Sequence, residues 1–153
     1  MGTQIKMVSV AQPRFGFHPV NTIRLSARAA RQCINDARID PFDLGLIINT
    51  GIYRYKNTGE PAIAALIQER ISSNRTSRKY AGAKRTFSFD LNNGGCGLIT
   101  GMEIVHEFVS NGELSYGMVV SGDSEPFFGL SKEFTFNPSA AAIILTGSAD
   151  TKG

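Results

Sequence analysis

One cysteine in this sequence stands where a nucleophile would be useful. The stretch FSFDLNNGGCGLITGMEIVHEF, Phe87 to Phe108, carries an alternating strand pattern into a glycine corner and straight on into a helical pattern. Cys96 sits at the corner. The first amides of a helix lack intrahelical acceptors, and their summed dipole favours negative charge nearby, so a thiol at such an end is helped towards thiolate. The same amides can stabilise an oxyanion forming on a thioester carbonyl. Gly94, Gly95 and Gly97 remove side chains that would obstruct a substrate approaching the sulfur. These residue types fit an acyl-transfer nucleophile. They also fit a plainer reading, in which cysteine is a small buried hydrophobe and the glycines serve only the turn.

The other reactive residues are few. Cys33 and Cys96 are the only cysteines, and two cannot build a metal site of the usual kind, so both read as free thiols. Cys33 falls beside the apolar stripe of an earlier helix and reads as packing. His106 lies ten residues beyond Cys96, nearly three turns and ~15 Å along the helix, too far to act on that sulfur. His18, beside Pro19, has no partner motif and reads as solvated. The sequence holds no dinucleotide fingerprint, P-loop or metal-ligand cluster, so no cofactor is expected beyond a thioester donor. Arg75, Arg78, Lys79, Lys84 and Arg85 crowd into SSNRTSRKYAGAKR. That run reads as a solvated loop or as a landing patch for CoA phosphates or an acidic carrier protein. Without nucleic-acid motifs or interleaved aromatics beyond Tyr80, nucleic acid ranks last among its partners.

The elements that must position Cys96 follow from periodicity. Lys6–Ala11 reads as a first strand. Asn21 can cap a helix running to about Arg38, with Ile23, Ala27, Ala30, Ile34 and Ala37 on one narrow face. The continuous apolar run in DLGLIINTG suits a strand buried on both faces. Pro61 suits the first turn of a helix ending near Ile71, with Ile63, Leu66, Ile67 and Ile71 inward. TFSFDL is a third strand. A helix from Cys96 to Ser110 then buries Leu98, Met102, Val105 and Val109, and Asn111-Gly112 ends it. SYGMVVSGD and AAAIILTG are the last two strands, the final one antiparallel because no helix precedes it. The order β-α-β-α-β-α-β-β predicts one α/β domain over 1–153, with a five-stranded, mostly parallel mixed sheet and helices on both faces. At 153 residues, 42% hydrophobic and 19% charged with a net charge of +3, the chain reads as one globular unit. Its apolar runs are too short for a membrane span, and no cleavable leader opens it, which points to the cytoplasm.

Several phrases resemble the N-terminal half of a thiolase-fold condensing enzyme of the ketoacyl-acyl-carrier-protein synthase III type. SARAARQCINDARIDPFDLGLIINTG is similar to that family's first long helix and second strand. FSFDLNNGGCGLITGMEIVHEFVSNG is similar to its third strand, active-site corner and central buried helix, and YGMVVSGDS to its fourth strand. The resemblance implies a nucleophilic cysteine at the start of the buried helix, accepting an acyl group from CoA or a carrier protein. Two departures accompany it. With Asp90, Leu91, Gly97 and Gly101 set on their family equivalents, the nucleophile position falls on Gly95, and Cys96 takes the neighbouring small-residue position. A step of one residue turns a side chain by about 100° around a helix, so the two registers are physically different. Asn137, Pro138 and Ser139 also stand where the family usually has a glycine-aspartate-glycine run.

The family's assisting histidine and asparagine belong to a C-terminal half that this sequence lacks. Besides a domain excised from a longer parent protein that is itself the active species, two functions stay open on these grounds. One is half of an acyltransferase or condensing enzyme acting on acyl thioesters, with Cys96 as nucleophile and its acid/base groups supplied by another chain. The other is a non-catalytic module binding a carrier protein or synthase subunit. The helix from Cys96 is apolar over much of its girth, with Leu98, Ile99, Met102, Ile104, Val105, Phe108 and Val109. Such a helix needs partners on more than one side. The expected partner is a second copy or a complementary C-terminal-half chain, and the resemblance implies TFSFDL as the pairing edge, since the family's third strand lies along its dimer two-fold.

Overall fold

The structure, a computed structural model, describes residues 2–13, 20–54, 56, 59–73, 85–124 and 137–149. Strand β1 (Gly2–Ala11) leads to helix α1 (Thr22–Ala37), strand β2 (Leu44–Asn49), helix α2 (Ile63–Ile71) and strand β3 (Phe87–Asp90). Helix α3 (Gly97–Ser110) and strands β4 (Tyr116–Asp123) and β5 (Ser139–Ser148) complete the order. The strands form one sheet in the order β1-β5-β4-β2-β3. β2 lies parallel to both β3 and β4, whereas β5 runs antiparallel to both β4 and β1. The final strand therefore opposes the other four, as its missing crossover helix predicts.

Local chemistry accounts for the boundaries of α1. Asn21 is extended, and its side-chain oxygen accepts from the Arg24 amide at 3.1 Å, taking up one donor that the first turn cannot satisfy. Arg38 closes the helix in the left-handed region, its N–H returned to the Ile34 and Asn35 carbonyls. The predicted alanine-isoleucine face is buried throughout, and Cys33 beside it is fully enclosed. Helix α2 begins at Ile63, two residues later than Pro61 suggests. Its start is set by Asp90, whose carboxylate accepts from the Ile63 and Ala64 amides at 2.8 Å each. A capping group from a distant strand leaves no local signal. Strand β1 is longer than its sequence pattern, beginning at Gly2.

The sheet separates two apolar layers. α1 and α2 lie on one face, with Ile47, Met118, Val120, Ala142 and Ile144 beneath them. α3 lies on the other, over Leu46, Ile48, Val119 and Leu145. Successive strand residues point to opposite faces, so a strand covered on both sides needs an unbroken apolar run. Leu46, Ile47 and Ile48 supply it. The two α3-side edges are less covered: Ile5 and Val10 on β1 are 53% and 57% exposed, and Phe87 on edge strand β3 is 65% exposed.

Candidate active site

Cys96 is exposed. It ends a short 3-10 turn, Gly94–Cys96, that runs directly into α3, and it occupies the N-cap position of that helix with no side-chain hydrogen bond of its own to the cap. The helical segment therefore starts earlier than Cys96. The Cys96 amide donates to the Asn93 carbonyl at 3.1 Å, and the Gly97 amide to the Gly94 carbonyl. Those two donors, expected to be open, are already used. The amides that open the segment are those of Gly94 and Gly95, and neither donates to another described residue. Gly94 has φ +49, a conformation that a side chain disfavours. A Cβ placed at Gly95 would meet nothing within 4 Å.

Close packing holds the first turns of α3 against the sheet. A Cβ at Gly97 would come 3.3 Å from Thr50 Cβ, and one at Gly101 would come 3.1 Å from Val119 Cγ1 and 3.2 Å from Thr50 Cγ2. Thr50 follows β2 and is fixed there by its amide bond to the Val120 carbonyl at 2.8 Å. The corner thus rests on the ends of β2 and β4, outside the carboxyl ends of parallel strands, where open α/β sheets commonly place ligands.

The contact face of α3 departs from expectation. Gly97, Gly101, Val105 and Val109 are the buried residues, while Leu98 is exposed and Met102 only half-buried. The stripe is turned by one position because the glycines permit an approach that leucine and methionine would prevent. Ile99, 62% exposed, and Phe108 are not covered by the sheet either. The helix expected to be buried centrally is covered on its sheet side and open on the other. Ile99, Met102 and Leu145 line an open hollow of about 380 Å³ between α3 and β1, with Ile5 opposite and Glu103 and His106 at its rim.

The remaining candidates separate cleanly. Cys33 is enclosed, with its Sγ donating towards the Ala142 carbonyl at 3.4 Å and the Met7 carbonyl at 3.5 Å. Burial pushes its thiol up to about 11, only partly offset by a hydrogen bond with Ser9. His106 is exposed, its Nδ1 2.9 Å from Thr3 Oγ1, at the hollow rather than the corner. His18, Tyr80 and four of the five clustered basic residues lie outside the described residues; Arg85 is described and exposed. No group of metal-ligating side chains occurs among the described residues, and no described helix is long and apolar enough to cross a membrane.

Sequence reasoning used Asp90 only as a pattern marker and missed what it does. Besides the α2 amides, its carboxylate accepts from Asn49 Nδ2 at 3.1 Å and pairs with Arg54 at 3.0 Å. The one available signal was a lone carboxylate at the end of a short alternating strand.

No protein-family model matches the chain. Its sequence is 33% identical over 100 residues to a β-ketoacyl-acyl-carrier-protein synthase III of Clostridium acetobutylicum, covering 65% of this chain and 27% of that protein. It is 29% identical over 99 residues to an acyl-CoA:acyl-CoA alkyltransferase of Xanthomonas campestris pv. campestris, covering 65% and 26%. A synthase III of Bacillus cereus is 26% identical over 140 residues, covering 92% and 40%. The crystal structure of Xanthomonas campestris OleA with bound lauric acid and lauroyl-CoA superposes with a TM-score of 0.75 at 19% identity, covering 95% of this chain and 56% of that one.

The sheet and helices make a thiolase-like fold, and the sequence similarity supports a partial domain resembling those of the β-ketoacyl synthase III proteins. The chain spans between about a quarter and two-fifths of the length of these curated relatives.

Proposed function

We propose that this chain carries the acyl-accepting site of a ketoacyl synthase III-like condensing enzyme, with Cys96 as its nucleophile. The observation that carries the reading is an exposed thiol at the head of α3 on a thiolase-like sheet. In the step envisaged, Cys96 Sγ gives up its proton and attacks the carbonyl carbon of an acyl thioester. The developing oxyanion is met by backbone N–H groups at the corner, for which the Gly94 and Gly95 amides are the open donors. Collapse breaks the carbon–sulfur bond to the donor thiol, which leaves with the proton, and the acyl group stays on Cys96. The chemistry needs no cofactor beyond the thioester of CoA or a carrier protein. Condensation would require acid/base groups from another chain or segment, because His106 lies ~15 Å along the helix from Cys96.

Incubation with lauroyl-CoA followed by intact-mass measurement tests this. The expected result is one acyl adduct, absent in Cys96→Ala. Gly95→Cys in the Cys96→Ala background probes the alternative register, since the space beyond Gly95 admits a side chain. An adduct restored there would show that the corner can also present a thiol to the thioester from position 95. An unmodified chain in every case would leave a binding module for a carrier protein or synthase subunit, the alternative this experiment excludes or selects.

A further inference from the structure

Across the carboxyl ends of β2, β3 and β4 runs a chain of polar contacts that the acyl-transfer step does not itself use. At the end of β4, Asp123 Oδ1 accepts from the Ile52 and Tyr53 amides at 2.7 and 2.6 Å, pinning the segment that follows β2. The next residue, Arg54, is largely covered and reaches the other way with both arms of its guanidinium. Nη1 pairs with Asp90 Oδ2 at 3.0 Å, and Nη2 donates to Asn92 Oδ1 at 3.1 Å. Asp90 is already held by Asn49 and by the start of α2, so it is a fixed post. Asn92 is not: it is exposed and belongs to the corner that leads to Cys96. From there to α3 the described holds of the corner are Asn93 Nδ2 on Thr100 Oγ1 at 3.0 Å, the Cys96 amide on the Asn93 carbonyl and the Gly97 amide on the Gly94 carbonyl. Gly94 and Gly95 contribute none by side chain.

From this we infer that Arg54 is a positioning residue for the Cys96 corner. Its planar fork holds Asn92 at a set distance from Asp90, and so sets where the Gly94–Cys96 turn begins. Lysine can keep the pair with Asp90 but cannot present two donors in one plane. The kinetic part of this inference rests on the acyl-transfer reading, while its structural part does not.

Two variants and two measurements decide it. Arg54→Gln removes both contacts; Asn92→Ala removes only the corner contact and leaves Asp90 and its partners in place. In hydrogen–deuterium exchange, both variants should speed exchange in the peptide Leu91–Thr100 about tenfold, as loss of one charge-assisted hydrogen bond allows, with α1 and β4 peptides unchanged. Lauroyl transfer to Cys96 should fall by a similar factor, while iodoacetamide alkylation of the same exposed thiol changes less than twofold. Arg54→Lys should recover part of the transfer rate. Corner exchange in Asn92→Ala that matches the parent chain overturns the inference, as does an acceleration spread evenly over α1 and β4. If the parent chain takes no lauroyl group, the acyl-transfer reading fails and the exchange result still decides the role of Arg54.

Discussion

Cys33 and Cys96 are the same functional group in two settings, one enclosed and one exposed, and the enclosed one can be read out by pH. Cys33 is enclosed between α1 and the sheet, and its thiol ionises only near 11 against an ordinary value of 9.0. The unfolded chain gives up that proton first. Stability from this group is therefore fully present below about pH 9 and declines as pH rises towards 11. The loss is on the order of 2–3 kcal/mol. Urea denaturation at pH 8 and pH 10.5 should show a larger fall for the parent chain than for Cys33→Ala, which lacks the ionisable group. Equal falls would mean that the thiol is not held neutral by burial. That Cys33 is packing was legible from its place beside an alanine-isoleucine stripe. Cys96 was legible as a corner residue, but the glycines around it are compatible with more than one register. Only backbone geometry shows that the helical segment opens at Gly94.

Among the elements, α1 was the most readable and α3 the least, for one physical reason. In α1 the apolar residues are alanines and isoleucines on one narrow face, at spacings of three and four, and follow a capping asparagine. In α3 nearly every side is apolar, so hydrophobicity does not select a contact face. Steric fit selects it. Gly97 and Gly101 bring the helix close, and Val105 then seats over Gly117, where an added Cβ would overlap Val105 Cγ1. Gly117→Ala should therefore destabilise the fold by about 1–3 kcal/mol through overpacking. In a double-mutant cycle with Val105→Ala, the two losses should be markedly less than additive. Strict additivity would show that this contact does not set the position of α3. The same close seating places Thr50 under the first turn of the helix, which ties the Cys96 corner to the end of β2.

At the scale of the whole molecule, the α3 side of the sheet is unfinished in a way the other side is not. Ile5, Val8 and Val10 on β1 and Leu98 and Ile99 on α3 are large apolar side chains left exposed, and Ile5 and Ile99 share one hollow. Light scattering on a size-exclusion column should give a mass above the monomer's for the isolated chain. Ile99→Asp with Val10→Asp should return it to the monomer without changing secondary structure. A parent chain that elutes as a clean monomer would argue against a second copy on this face. The fold class and the mostly parallel run of the strands were legible from alternating helical and extended patterns; their order across the sheet was not. Which face stays open was not, because a single sequence carries no record of what lies beyond its own surface.

The pairing of β1 with β5 alone has a consequence for how the chain assembles. β1 has no partner in the sheet until β5 has been made, so its docking closes the whole loop from Ala11 to Ser139. Until then β2, β3 and β4, with α2 and α3, can form a parallel nucleus by themselves, while the N-terminal segment waits as unpaired chain.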